Sequence, residues 1–309
     1  MRIHFLRFVL LCMGLDSFVL AQNGYKFEFG VATGVSNYLG EIGGKEKAAR
    51  PFIVDLKLSK TRWNETFYIR YKFHPQFAFK ASLNYLRIEG DDKLSTNPGR
   101  RYRNLSFRND IYDFESTINW IVYSSQQPSG IYRRATTHLT AYLFTGMGVF
   151  YHNPKALYQG SYIPLQPIKT EGVKYSRVGF CVPLGLGMYV AITRSRKRSH
   201  RIGIEVNWRY TNTDYLDDIS TVYRNPGDLS SSTAVALSNR NPELTNQPAG
   251  ISKNYGWQGA DINGENINKA PRGNPKNKDS YISVNVTYGI AIKSRYTRSR
   301  GKKIRSVKF

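Results

Sequence analysis

Cysteine is nearly absent from this chain. Cys12 falls in an apolar N-terminal run and Cys181 stands alone in the remainder, so no internal disulfide framework can form. Long apolar runs are missing as well. Past the first twenty or so residues no segment is apolar for long enough to cross a bilayer as a helix. Acid is scarce: 22 Asp and Glu stand against 45 Lys and Arg, a formal net charge of +23. Such a balance ordinarily suggests nucleic acid, but that partner is excluded if the chain is exported. His74, His138, His152 and His200 lack metal-ligand spacing to one another or to cysteine. Gly146-x-Gly148 and Gly185-x-Gly187 sit in strand-like sequence, where close approach explains glycine better than a phosphate loop does. No cofactor, metal or small-molecule substrate is expected.

The N-terminus reads as an export signal. Arg2 and Arg7 precede an apolar run from Phe8 to Leu20, and Val19-Leu20-Ala21 places small or apolar residues where a signal peptidase reads. Cleavage is expected near Ala21, which divides the chain into a signal (1–21), a body (22–292) and a basic tail (293–309). The run is too short, and too interrupted by Asp16, to anchor the chain.

What the body has in plenty is two-residue alternation. Ile282, Val284, Val286, Tyr288, Ile290 and Ile292 make one face of a strand, and Ser283, Asn285, Thr287, Gly289 and Ala291 make the other. Similar stretches recur near 25–33, 64–73, 77–88, 105–123, 137–150, 173–192 and 201–212. The stretch at 137–150 is apolar on both faces. Eight such stretches, with small or polar residues on the second face of all but 137–150, predict an all-β fold, an eight-stranded antiparallel outer-membrane β-barrel with apolar residues toward lipid.

Loop lengths sort independently of the strands. The connections at 74–76, 124–136 and 193–200 are short; those at 34–63, 90–104, 151–172 and 213–279 are long. Short periplasmic turns, long extracellular loops and periplasmic termini follow for such a barrel. A bore of eight strands is just filled by side chains. Arg70, Lys72, Lys80, Asp113, Glu115, Arg177, Glu205 and Arg209 are then the candidate lumen charges. They form either a plug of mutually paired ions or an ion path, and the narrow bore favours the plug.

The positive excess lies mostly on the expected periplasmic side. Arg133 and Arg134 occupy one turn; Arg194, Arg196, Lys197, Arg198 and Arg201 sit in or beside another. Lys293, Arg295, Arg298, Arg300, Lys302, Lys303, Arg305 and Lys308 follow the last strand without an acid among them. Such a surface either anchors to lipid headgroups or docks an acidic periplasmic partner. The length of the tail favours docking.

Catalytic signals are weak. His138 and Ser176 have no surrounding motif that makes a Ser-His-acid arrangement. Asp91-Asp92 and the Asp214, Asp217, Asp218 cluster lack calcium-loop spacing and read as turn-capping residues. A non-enzymatic protein is expected.

Five stretches carry a resemblance: Ser36-Asn37-Tyr38-Leu39-Gly40-Glu41-Ile42, the run 103–112, the run 148–156, Leu165-Gln166-Pro167 through Thr170-Glu171-Gly172, and Asp214-Tyr215-Leu216-Asp217-Asp218-Ile219-Ser220-Thr221. Together they resemble the small outer-membrane β-barrel of the Bacteroidetes type IX secretion machinery, the PorG-like family. The resemblance implies a non-enzymatic accessory barrel in outer-membrane lipid, associated with periplasmic secretion-ring proteins (a lipoprotein and its partner). It implies a part in protein secretion and, in some species, gliding motility. The alternative expectation is a stand-alone narrow porin or ligand-binding barrel.

Overall fold

A computed structural model describes residues 25–42, 58–125, 136–193, 198–244 and 271–293. The signal 1–21, Arg133, Arg134, Arg194, Arg196, Lys197 and the tail residues Arg295, Arg298, Arg300, Lys302, Lys303, Arg305 and Lys308 lie outside the described residues.

Among the described residues nine strands are present: β1 (Tyr25–Leu39), β2 (Arg62–Lys72), β3 (Phe77–Asp91), β4 (Ser106–Ser124), β5 (Thr136–Tyr158), β6 (Ser161–Pro164), β7 (Val178–Thr193), β8 (Arg198–Thr211) and β9 (Ser280–Lys293). Eight of them close on themselves. Each pairs antiparallel with its neighbour, β4 with β5 and β5 with β7, and β9 returns to β1 in register from Leu39↔Ser280 down to Tyr25↔Lys293. The molecule is therefore a closed eight-stranded antiparallel β-barrel. β6 is a short extra strand that folds back on the upper end of β5 outside the wall.

Closure works because the two faces want different surroundings. Outward residues such as Phe67, Leu83, Phe180, Leu186, Ile204 and Val286 are all more than half exposed, at 51–65%. The partners one position along point inward and are buried. A band of that composition all round a closed sheet matches the apolar belt of a membrane barrel, not a water-facing wall.

Aromatic rings bound the band at each end. Along the upper rim Trp63 and Tyr85 lie 5.1 Å apart between ring centroids, Tyr85 and Tyr112 also 5.1 Å, and Tyr112 pairs with Tyr151 on β5. Along the lower rim Phe27 meets Tyr71 at 4.8 Å, and Phe73 stacks on Phe77 across a tight turn. On β4 the rims fall at Tyr112 and Trp120. Eight residues of strand rise about 27 Å, or about 20 Å along the barrel axis at the usual tilt.

The short connections lie at the lower end. His74 and Phe77 exchange backbone hydrogen bonds at 3.2 Å to close one of them. The long connections lie at the upper end, where β3, β4 and β5 continue past the aromatic rim. There the outward residues become charged (Arg87, Glu89, Arg108, Asp110) while Leu86, Ile88, Phe107 and Ile111 face in and are buried. The strands thus leave the apolar band and form the wall of a crown. The strand expected to be apolar on both faces, β5, is so because Tyr142, Phe144 and Phe150 fill the bore.

Candidate functional site: a neutral lumen beneath a folded cap

Two charge clusters occupy the lumen. In the lower one Glu28 accepts from the Tyr68 hydroxyl at 2.9 Å and pairs with Arg70 at 3.2 Å and with Arg201. Arg70 Nη2 also donates to the Tyr142 hydroxyl at 3.0 Å, and that hydroxyl donates to Glu205 at 2.7 Å. Lys80 completes the group by pairing with Glu205. In the upper cluster Arg209 lies between Glu115 and Asp113, with the Asp113 contact at 3.2 Å. Tyr281 donates to Asp113 at 3.0 Å, Asn207 to Glu115 at 3.1 Å, and Arg209 to the Ser283 hydroxyl at 2.8 Å.

Four carboxylates, those of Glu28, Asp113, Glu115 and Glu205, thus balance four cations, Arg70, Lys80, Arg201 and Arg209. Buried ions are tolerated when paired and hydrogen-bonded in this way. The cavity beside Glu28, Arg70 and Lys72 holds about 10 Å³, room for no more than one water. Arg70, Asp113, Glu115, Glu205 and Arg209 therefore meet in the bore, and Lys72 lines its lower end.

Arg177 does not join them. It precedes β7 and reaches the Tyr151 hydroxyl, on the outer face of β5, at 3.5 Å. Placing it in the lumen extended strand alternation five residues beyond the true start of β7, Val178. Arg201 is corrected the other way. It reads as part of a basic turn, yet it shares the inward parity of Glu205 and Arg209 and turns into the bore to meet Glu28. Arg198 is exposed at the foot of β8. Lys293 ends β9 opposite Tyr25.

Above the charges sits an apolar stopper. Leu86, Ile88, Ile111, Phe150 and Tyr281 pack from the walls, and Leu216 and Ile219 enter from the long connection after β8. The described parts of that connection, 212–244 and 271–279, fold over the mouth. Asn109 on the wall donates to the Leu216 carbonyl at 2.7 Å, and the Leu216 amide donates to Asp279 at 3.0 Å.

Cap and wall are then tied by buried acids. The Tyr38 hydroxyl lies 2.7 Å from Asp217 and 2.6 Å from Asp279. Glu171 accepts from the amides of Ser220 and Thr221 at 3.0 Å and pairs with Arg272 at 2.9 Å. Arg103 pairs with Asp92 at 2.7 Å and donates to the carbonyl of Arg272 at 2.7 Å and to that of Glu41 at 3.2 Å. The Asn274 amide caps Glu41 at 2.8 Å. Tyr175 donates to Asp218 at 2.7 Å and stacks on Tyr215 at 4.5 Å.

Burial raises the carboxyl pKa values of Asp217 and Asp279 well above the usual range; the Asp279 charge adds to the rise at Asp217, and at Asp279 the Tyr38 hydrogen bond opposes it while Asp214 and Glu41 add to it. Burial raises Asp214 to about 7 and Asp218 to about 6. Tyr38 carries one hydroxyl proton for two carboxylates. A second shared proton is needed to satisfy both, which is the state that the raised values favour.

The five stretches singled out in the sequence all meet here: Tyr38 and Glu41, Arg103 and Asn109, Asn153, Thr170 and Glu171, and Asp214 through Thr221. Sequence reasoning named them without seeing that they build one cap. His138 and Ser176 do not approach each other. His138 pairs with Ala191 near the lower rim, whereas Ser176 lies beside His152 at the upper one. Among the described residues no three of His, Cys, Asp and Glu are grouped to hold a metal ion. The Asp217 and Asp91 carboxylates cap the amides of Ile219 and Lys93 at 3.0 Å.

Fold and lumen define the class: a small closed barrel of the outer-membrane type with a packed interior. A family model described as "Domain of unknown function (DUF6089)" matches residues 4–229, and the chain belongs to that family. No curated protein matches. Among solved structures, Neisserial surface protein A (NspA) is similar at 8% identity and a TM-score of 0.32, over 87% of this chain and 97% of that one. Ail, the attachment invasion locus protein of Yersinia pestis, solved with the heparin analogue sucrose octasulfate, is similar at 9% identity and a TM-score of 0.31, over 87% and 99%.

Proposed function

We propose that this protein resides in an outer membrane as a non-enzymatic barrel component of a type IX protein secretion machinery, and that it works by contact. The observation that carries the reading is the filled bore. Two clusters that together hold four carboxylates and four cations, an apolar stopper and a folded cap lie in series along the axis. A barrel so closed offers no route for solute, which leaves its two ends and its membrane belt as working surfaces. The resemblance to the PorG-like barrels supplies the machinery. The short-turn end, from which the tail departs beside Tyr25, faces the periplasm in this reading.

The basic tail, with Lys293, Arg295, Arg298, Arg300, Lys302, Lys303 and Arg305, and the basic turn with Arg194, Arg196, Lys197 and Arg198, are the proposed docking elements for acidic surfaces of the periplasmic ring proteins. The test is affinity purification of the tagged protein from gently solubilised outer membranes, comparing the full chain with one lacking 294–309. A periplasmic lipoprotein complex is expected with the full chain and lost from the truncated one. Recovery of a lone barrel where other membrane complexes survive overturns the reading.

A further inference from the structure

Just above the upper aromatic rim, the outer face of the crown carries more positive charge than its neighbours neutralise. Arg108 on β4 and Lys155 on β5 are direct cross-strand partners on that face. Like charges opposed in this way destabilise a sheet. Glu89 does little to relieve them, because it is shared: it lies 2.6 Å from Arg62 and 3.7 Å from Arg108. Lys155 and Arg177 form no ion pair among the described residues, and of this group only Arg87 has a carboxylate to itself, Asp110 at 2.6 Å.

The height of the group identifies what would neutralise it. Arg87 donates to the Tyr85 hydroxyl at 3.1 Å and Arg177 reaches the Tyr151 hydroxyl at 3.5 Å, so both guanidinium groups rest on the ring of aromatics that marks the edge of the apolar band. Arg108 lies over the Tyr162 ring at 4.8 Å. Arg108 and Lys155 stand four residues beyond Tyr112 and Tyr151, about 13 Å along the strand and about 10 Å in height. That is the depth of lipid headgroups on the outer side, where Lys and Arg are attracted to negative charge.

We infer that Arg108, Lys155 and Arg177 form a collar that binds phosphate groups on the headgroups of outer-leaflet glycolipid. The inference rests on the membrane reading above and adds a ligand chemistry to it. Bidentate guanidinium–phosphate contacts suit the two arginines, and the lysine adds a point charge between strands.

The purified full-length protein is reconstituted into phosphatidylcholine vesicles containing either bisphosphorylated lipid A or its dephosphorylated form. Lipid retained on the barrel after detergent extraction is then counted by native mass spectrometry. Preferential retention of the phosphorylated lipid is expected, with a loss of about tenfold or more in an Arg108→Gln/Lys155→Gln/Arg177→Gln variant that still shows the heat-dependent gel shift of a folded barrel. Raised salt should weaken retention by the native protein more than by the variant. Equal retention of the two lipids, or a preference that survives the triple substitution, overturns the inference and leaves the membrane reading intact. Retention of a polyglutamate peptide without discrimination between the lipids overturns it in favour of an acidic protein. Failure to insert into vesicles of either composition overturns both readings.

Discussion

Tyr38 and Asp217, 179 positions apart in the chain, meet at 2.7 Å over the mouth of the barrel. The same hydroxyl lies 2.6 Å from Asp279, so one side chain of the wall holds two acids of the cap. Replacing Tyr38 by Phe keeps the ring against Phe107 but removes the hydroxyl from one oxygen of each buried carboxyl group, leaving only the Ile219 amide on Asp217 and the Leu216 amide on Asp279. Loss of about 1–3 kcal/mol of local stability is expected. Hydrogen exchange of amides in 214–221 should accelerate while the heat-dependent gel shift of the barrel persists.

Acid should tighten the cap. Asp214 titrates at about 7 in the closed cap, against 3.8 for an unperturbed side chain. Below 3.8 the closed and released forms are both protonated, and the cap has its full stability. As pH rises, the released loop gives up a proton that the closed cap retains, so closure weakens until the pH passes about 7 and then levels off. Asp217, Asp218 and Asp279 shift in the same direction. Exchange protection of Leu216 and Ile219, corrected for intrinsic rates, should fall between pH 4.5 and pH 8, a window set by those shifts. Asp214→Asn should flatten part of that fall.

Breaking one lumen pair should cost more than any surface change. Glu205→Ala leaves Lys80 and Arg70 facing a gap in the bore, at an expected cost of about 3–5 kcal/mol. Urea unfolding of the barrel in lipid vesicles measures it. Glu205→Gln, of similar volume, should be as silent as the native protein in planar-bilayer recordings. Steady conductance from the native protein would contradict the filled bore.

Two exposed leucines should respond differently to the same substitution. Leu186 lies midway along β7 and is 53% exposed; Leu157 lies on the crown hairpin and is 45% exposed. Leu186→Arg places a charge in the apolar band and should cost about 2–4 kcal/mol of folding stability in lipid. Leu157→Arg lies in water and should change stability by less than about 0.5 kcal/mol. Similar effects of the two would argue against a membrane belt.

Gly187 on β7 faces the Tyr142 ring, and a β-carbon there would lie 2.5 Å from it. Tyr142 cannot yield freely, because its hydroxyl joins Arg70 to Glu205. Gly187→Ala should cost about 1–3 kcal/mol in the same urea assay.

Strand placement was legible because lipid and lumen impose opposite chemistry on alternate residues. The stretch predicted at 25–33 begins where β1 begins, at Tyr25, and the predicted 77–88 falls inside β3. The ends were not legible. β3 runs on to Asp91 and β5 to Tyr158, because strands that leave the membrane exchange the lipid face for charged residues and the apolar signal stops. Arg177 was misplaced for the same reason, alternation having been carried past a strand end. Arg201 could have been found by parity with Glu205. The cap was beyond reach, because bonds such as Tyr38–Asp279 and Asn109–Leu216 join loop residues 241 and 107 positions from their partners, with no local period to announce them.

The Tyr38–Asp279 hydrogen bond sits astride the seam of the barrel. Tyr38 is the penultimate residue of β1, and Asp279 immediately precedes β9, the strand that closes the barrel against β1. Neither the bond nor the loop that depends on it can form until the first and last strands have met. Closure of the cap and closure of the seam are thus coupled: whatever parts β1 from β9 also parts Tyr38 from Asp279 and loosens the hold on Leu216 and Ile219.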